Sequence, residues 1–209
     1  MHIDESVRPV IQPHRRIPFH LRQKVEKELA NMEAMDIIEK VEGPTPWVSP
    51  IVVVNKPNDP DNVRICIDMR LANKAIKRER HMTPTVDDMI HDLNGAKVFS
   101  RLDLNRAYNQ VELEPASRNI TTFATHVGLR RYKRLCFGVS SSSELFQDII
   151  RQVLDGIPGT MNLSDDILIY GATQAAHDKA LHSVLQKLRD CNLTLNKTKC
   201  AFNKGTLKF

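Results

Sequence analysis

Asp165 and Asp166 stand side by side between Leu163-Ser164 and the apolar run Ile167-Leu168-Ile169-Tyr170. Short β-prone runs on both sides of an acid pair predict a hairpin turn that holds carboxylates outward. Adjacent carboxylates repel in a confined site, so keeping both ionised calls for cations. Mg²⁺ suits such a place because it takes oxygen ligands and leaves room for phosphate oxygens. A third acid, Asp103, ends the strand-like run Val98-Phe99-Ser100-Arg101-Leu102. Three carboxylates on neighbouring strands can clamp two divalent ions, the arrangement that supports phosphoryl transfer. An isolated Asp-Asp pair is more often a solvated turn, so the weight falls on the sequence around it.

The elements that must position these acids are legible in outline. Pro9, Pro13 and Pro18 with His14-Arg15-Arg16 make residues 1–20 an extended arm rather than a packed element. Leu21, Val25, Leu29 and Met32 recur at helical spacing and predict a helix over about 19–35. Prolines 44, 46 and 50 lead into a strand at 51–54, Asn55–Asn62 reads as a loop, and Val63–Ile67 as the next strand. Val86, Met89, Ile90 and Leu93 form a second helical face between Pro84 and Gly95. After the Asp103 strand, strand and turn signals alternate as far as Leu135. Ser141 and Glu144 have the spacing of a capping box for a helix through Leu154, stopped by Gly156 and Pro158. A further helix is expected over about 173–191, then terminal strands at 193–195 and 199–202. The chain is therefore α+β with a mostly antiparallel sheet.

Composition narrows the partners. A chain of 209 residues can bury a proper core as one large domain or two interleaved lobes. A net charge of +5 and a pI near 9.1 are compatible with a polyanion without establishing one. Cys66, Cys136, Cys191 and Cys200 form no C-x-x-C pair, no signal peptide is legible, and no apolar run approaches membrane-spanning length. The expected setting is intracellular, with reduced thiols and no membrane partner.

Around the acids the blocks fall in a telling order. Pro46-Trp47-Val48-Ser49-Pro50-Ile51-Val52-Val53-Val54 is followed by Arg64-Ile65-Cys66-Ile67-Asp68-Met69-Arg70 and Asn73-Lys74. Asp103 precedes Asn105-Arg106-Ala107-Tyr108-Asn109-Gln110, and Thr122–Leu129 and Tyr132–Ser141 lie between the acids. From about Val7 to Phe209 the chain resembles the reverse transcriptase domain of Ty3/gypsy-type long-terminal-repeat retrotransposons. The resemblance implies the fingers and palm of a right-hand polymerase, with fingers about 21–77 and 111–142 and palm about 78–110 and 143–209. It implies RNA-directed DNA polymerase chemistry on a primer paired to an RNA or DNA template, using deoxynucleoside triphosphates and two Mg²⁺, for which Mn²⁺ can substitute. Asp103 and Asp165 would be the principal ligands, Asp166 a peripheral acid, and the Leu104 backbone carbonyl a further ligand. Arg64 matches a triphosphate-contacting arginine, with Lys56 in support. Tyr108 matches a ring beneath the incoming sugar that would exclude a 2′ hydroxyl. Phe137 and Gly138 match the segment packed against nucleotide and template. Arg130, Arg131, Lys133 and Arg134 form a basic cluster for phosphates, and Trp47 is a ring on which a base could stack. On residue type alone, a core tyrosine, a solvated basic hairpin and a buried tryptophan are the competing readings.

Some positions depart from that family's pattern. Leu163 stands where an aromatic usually precedes the acid pair, Cys136 where proline is commoner, and Ser142-Ser143 replaces a small-Pro step, which should loosen the turn. The resemblance also implies a protease before this region and a thumb, tether, ribonuclease H domain and integrase beyond it. The chain is accordingly expected to be a thumbless piece of a polyprotein, placed in cytoplasmic element particles. An inactive fragment that binds nucleic acid weakly, or has no function, is the alternative. A metal-dependent nuclease would fit three carboxylates but not Tyr108 or the Phe137-Gly138 segment.

Overall fold

The computed structural model describes residues 1–56, 59–78, 93–163 and 165–206, omitting the side chains of Pro60 and Leu163. Along the chain run β1 (His2–Ile3), α1 (Phe19–Ala34), β2 (Ile38–Lys40), β3 (Ser49–Lys56), β4 (Asp59–Ile67), β5 (Ile76–Lys77), β6 (Val98–Asp103), β7 (Phe123–Thr125), β8 (Gly128–Tyr132), α2 (Ser142–Leu154), β9 (Thr160–Leu163), β10 (Asp166–Gly171), α3 (Gln174–Asp190) and β11 (Ala201–Lys204). Backbone proximity divides the chain into two interleaved units, Met1–Arg78 with Val111–Ser142, and Glu79–Gln110 with Ser143–Phe209. The helix expected between Pro84 and Gly95 lies almost wholly outside the described residues.

The first unit is built on a five-stranded sheet of order β2-β8-β7-β3-β4, antiparallel except for the β3–β7 pair. Val25, Leu29 and Met32 give α1 the buried stripe that its spacing predicts. The expected loop at 55–62 is mostly strand, because β3 reaches Lys56 and β4 already begins at Asp59. Pro60 does not prevent this, since β4 is an edge strand and an edge tolerates a missing N–H donor. The N-terminal arm is extended but not free. His2–Ile3 pairs with β5, Ile11 bridges Val48, and Ile17 is buried.

The second unit centres on a four-stranded antiparallel sheet of order β11-β6-β10-β9. Ser100, Leu102, Ile167 and Ile169 are buried, and α3 is pinned to β6 by a buried polar chain. His177 is fully buried, and its Nδ1 lies 2.9 Å from Asp178 Oδ1. With Nδ1–H donating there, Nε2 accepts from the Ser100 hydroxyl at 2.8 Å, and Ser100 Oγ accepts Asn203 N–H at 3.1 Å. A serine, a histidine and an aspartate in line invite a hydrolytic reading, but Ser100 is fully buried, so the chain of bonds is a structural pin. Thr173 caps α3 by accepting Ala176 N–H, while Phe146, Ile150 and Leu154 form the buried side of α2. Instead of a strand at 193–195, only the isolated bridge Leu104–Leu195 forms there, and β11 begins at Ala201.

Candidate active site

The acids meet at one end of the second unit's sheet because β6 and β10 pair in a register that sets Asp166 opposite Asp103. Directly opposed residues share a face, so both carboxylates project from the same side. Asp166 also opposes Leu163, so Asp165 lies in the β9–β10 turn and Asp166 opens the strand. The sequence pattern predicts both acids in the turn; the register gives them different backbone settings.

Each carboxylate has its own partner. Lys199 Nζ lies 3.7 Å from Asp103 Oδ2, and Arg101 Nε lies 4.0 Å from Asp166 Oδ2. Asp165 accepts a hydrogen bond from the Tyr108 side chain, whose ring stands edge-on to Phe146 with centroids 5.3 Å apart. Among the described residues no three ligand side chains converge tightly enough to hold a metal as they stand. Both acids of the pair are shifted the same way, toward the protonated form. Burial pushes the Asp165 carboxyl up, opposed by the Tyr108 hydrogen bond and reinforced by the Asp103 charge. Burial also pushes Asp166 up, and the charges of Asp103 and Asp165 offset part of the relief from Arg101 and Lys199. The Tyr108 hydroxyl is pushed up by burial and by the neighbouring Asp165 charge. Negative charge is thus under-compensated here, the electrostatic condition a divalent ion relieves.

The segment just beyond Asp103 is shaped for approach. Asn196 N–H donates to Asp103 O at 2.8 Å, and Asn105 N–H donates to Thr194 O at 3.0 Å. Both bonds point to one side, so the alternating backbone turns the Leu104 C=O to the other, the side on which β10 lies. Arg106 then takes the left-handed conformation with φ 50°, rare outside glycine, and swings the chain out of the strand ahead of Tyr108.

With this geometry in place, the family model for reverse transcriptase (RNA-dependent DNA polymerase) matches residues 54–209. The chain belongs to the reverse transcriptase family. At 31% identity, 99% of it aligns with 16% of an uncharacterized protein of Caenorhabditis elegans. The retrovirus-related Pol polyprotein from transposon 412 of Drosophila melanogaster is 30% identical over 93% of the chain and 16% of that protein. The transposon Tf2-3 polyprotein of Schizosaccharomyces pombe is 28% identical over 73% of the chain and 12% of its own length. This reverse transcriptase domain therefore spans under a fifth of the curated relatives it matches. Its fold matches that of a foamy viral protease-reverse transcriptase solved with double-stranded DNA, at a TM-score of 0.86 and 22% identity over 100% of this chain and 36% of that one. The foamy viral enzyme solved with an RNA/DNA hybrid gives 0.84 at 22% identity, over 96% of this chain and 27% of that one.

The remaining predicted residues of the reverse transcriptase domain lie in its first unit. Arg64 is exposed on β4 directly opposite Val54, and Lys56 ends β3. Phe137 is 60% exposed, while Gly138 has φ +95° and would bring a β-carbon to 3.1 Å from Ile67 O. Asn73, to which sequence reasoning gives no role of its own, holds that loop from both sides. Its Nδ2 donates to Gly138 O at 2.8 Å and its Oδ1 accepts Ser140 N–H at 2.9 Å. The turn that Ser142 should loosen is instead closed, because the Ser142 hydroxyl donates to Cys136 O at 2.7 Å. The capping box does not form: Ser141 Oγ has no partner among the described residues.

The basic cluster has acid partners within the first unit. Arg130 pairs with Glu33, Arg131 with Glu39, and Lys133 and Arg134 with Asp36. These pairs tie β8 and the residues just after it to α1, β2 and the turn between them, which leaves little charge for a phosphate. Trp47 is 6% exposed and offers no ring face to a base.

Proposed function

We propose that this domain carries out RNA-directed DNA polymerase chemistry: template-directed addition of deoxynucleotides to a primer 3′ hydroxyl, with pyrophosphate leaving. The observation that carries the proposal is the β6–β10 register that sets Asp166 opposite Asp103, with Asp165 in the adjoining turn, in a chain of the reverse transcriptase family. In this reading the second unit is the palm and the first the fingers. Asp103, Asp165 and the Leu104 carbonyl would hold two Mg²⁺, with Asp166 at the edge. Divalent ions bound there would favour the deprotonated primer hydroxyl and offset charge on the departing pyrophosphate. Phosphoryl transfer is mostly positioning and charge stabilisation, so the chain's own groups do the rest. Asp103 and Asp165, which contact Lys199 and Tyr108 here, are the carboxylates that would hold the ions. The Tyr108 ring, braced by Phe146, limits the space at the sugar 2′ position. Arg64 and Lys56 take the triphosphate, and Phe137-Gly138 packs against the base pair being formed. RNA or DNA template, primer and deoxynucleotides are the partners; the double-stranded DNA and RNA/DNA hybrid bound by the foamy viral enzymes support the nucleic acid.

The test is primer extension on an RNA template by the purified chain, with Mg²⁺, four deoxynucleotides and low salt. Extension by wild type and none by Asp165→Asn is the expected result. Extension that survives in Asp165→Asn overturns the metal assignment. Failure of a folded wild-type chain, with activity in a longer polyprotein, would assign the chemistry to the larger assembly instead.

A further inference from the structure

The carboxylate of Asp103 and the carbonyl of Leu104 work only if the chain just beyond β6 is held in place, and β6 ends at Asp103. Residues 194–200 support that stretch by running antiparallel along it like a strap. Asp103 N–H donates to Cys200 Sγ at 3.4 Å and Asp103 O accepts Asn196 N–H at 2.8 Å. Asn105 N–H donates to Thr194 O at 3.0 Å, and Leu104 opposes Leu195.

One side chain locks this strap to the bend. Gln110 Nε2 donates to Asn105 O at 2.8 Å and to Thr194 O at 3.1 Å. Gln110 Oε1 accepts Thr194 N–H at 2.6 Å and the Thr194 hydroxyl at 3.1 Å. A carboxamide has two donor hydrogens and two acceptor lone pairs, so all four are in use and the group has one orientation. Its partners belong to the two chain segments that meet just beyond Leu104: Asn105 on the acid-bearing segment, and Thr194 at the start of the strap. Between Asn105 and Gln110 stands Arg106 with its left-handed φ of 50°, a conformation that persists only where the surroundings enforce it.

We infer that Gln110 is the positioning residue for the ion-binding backbone at Asp103-Leu104. It acts through the peptides of Asn105 and Thr194 and touches neither ion nor nucleotide. This rests on the metal reading given under Proposed function. Loop glue alone would predict that losing Gln110 lowers stability and leaves ion affinity unchanged; a positioning role predicts the reverse weighting.

The test is Mn²⁺ binding to the purified chain, followed by the loss of the free-ion electron paramagnetic resonance signal, with fold monitored by circular dichroism. Gln110→Met keeps the length and removes all four bonds; Thr194→Val removes only the hydroxyl bond; Asp165→Asn reports the ligand itself. Gln110→Met is expected to weaken Mn²⁺ binding about tenfold, the usual scale for a group that orients a ligand, with Thr194→Val within about twofold of wild type. Wild-type affinity in folded Gln110→Met, with binding lost in Asp165→Asn, overturns the inference and leaves the metal reading intact. No Mn²⁺ binding by wild type overturns both. If the methionine variant does not fold, Gln110→Asn, which keeps the amide but falls one methylene short, is read in the same way. Loss of fold in both variants assigns Gln110 to stability and overturns the positioning role.

Discussion

At the scale of single residues, Asn73 and Gln110 each hold a segment near the candidate site residues through hydrogen bonds to backbone. Asp103, Asp165 and Asp166 announce themselves by type and spacing. Asn73 and Gln110 do not, because each takes its role from backbone partners distant in sequence, such as Gly138 and Ser140 for Asn73 and Thr194 for Gln110. Two predictions belong here. Asn73→Ala removes two bonds to the Phe137-Gly138 loop, a loss of about 1–2 kcal/mol at typical net hydrogen-bond values. Urea denaturation should show a fall of that order, and the nucleotide KM should rise more than kcat falls; an unchanged KM would separate the loop from nucleotide binding. Tyr108 has two separable parts, a ring braced on Phe146 and a hydroxyl on Asp165. Tyr108→Phe should keep discrimination against ribonucleotides and Tyr108→Ala should lose it, measured as the ratio of kcat/KM for the two sugars. Equal selectivity in both variants would remove the ring from that role.

At the scale of elements, periodicity locates α1 and α3 to within a residue or two, since each needs only a local apolar stripe and ordinary ends. Three-dimensional partners override local signals elsewhere. Pro60 sits within β4 because the edge of the sheet has no neighbour to demand its N–H. Residues 193–195 look like a strand, yet they serve as a strap with one bridge, since β6 already ends at Asp103. The N-terminal arm shows the same effect. Its prolines keep it extended, but Arg15 reaches Asp68 just after β4, where Arg70 also binds. The Arg70 guanidinium, with help from its backbone N–H and the Arg15 charge, holds the Asp68 carboxyl down at about 2 against the opposing effect of burial. A carboxyl lowered on folding contributes stability above its unfolded value of 3.8, and that contribution is lost as pH falls through about 2. Asp68→Asn should therefore melt earlier than wild type at neutral pH, with the gap closing between about pH 4 and about pH 2 as first the unfolded and then the folded carboxyl takes up its proton. A gap that stays constant down to about pH 2 would show that Asp68 acts by packing or hydrogen bonding without its charge.

At the scale of the whole molecule, net charge is a poor guide to where nucleic acid is held. The excess of +5 suggests a broad attraction for polyanions. The first unit, however, matches many of its cations to acids: Arg15 and Arg70 with Asp68, Arg118 with Glu39 and Glu112, Arg130 with Glu33, and Arg131 with Glu39. A cation already paired within the protein releases few counterions from a duplex, so binding should have a shallow salt dependence. About four phosphate contacts would give a slope near −3.6 in log K against log salt for double-stranded DNA. Anisotropy titrations of a labelled duplex across a range of KCl concentrations measure that slope directly. Arg131→Gln then separates the two readings of the basic cluster. If the arginine serves the fold, the variant loses up to about 1 kcal/mol of stability, as expected for a partly exposed ion pair, and its salt slope matches wild type. A slope shallower by about 1 with stability unchanged would mean that Arg131 leaves Glu39 for a phosphate when the duplex binds, and would restore the cluster to the nucleic-acid interface.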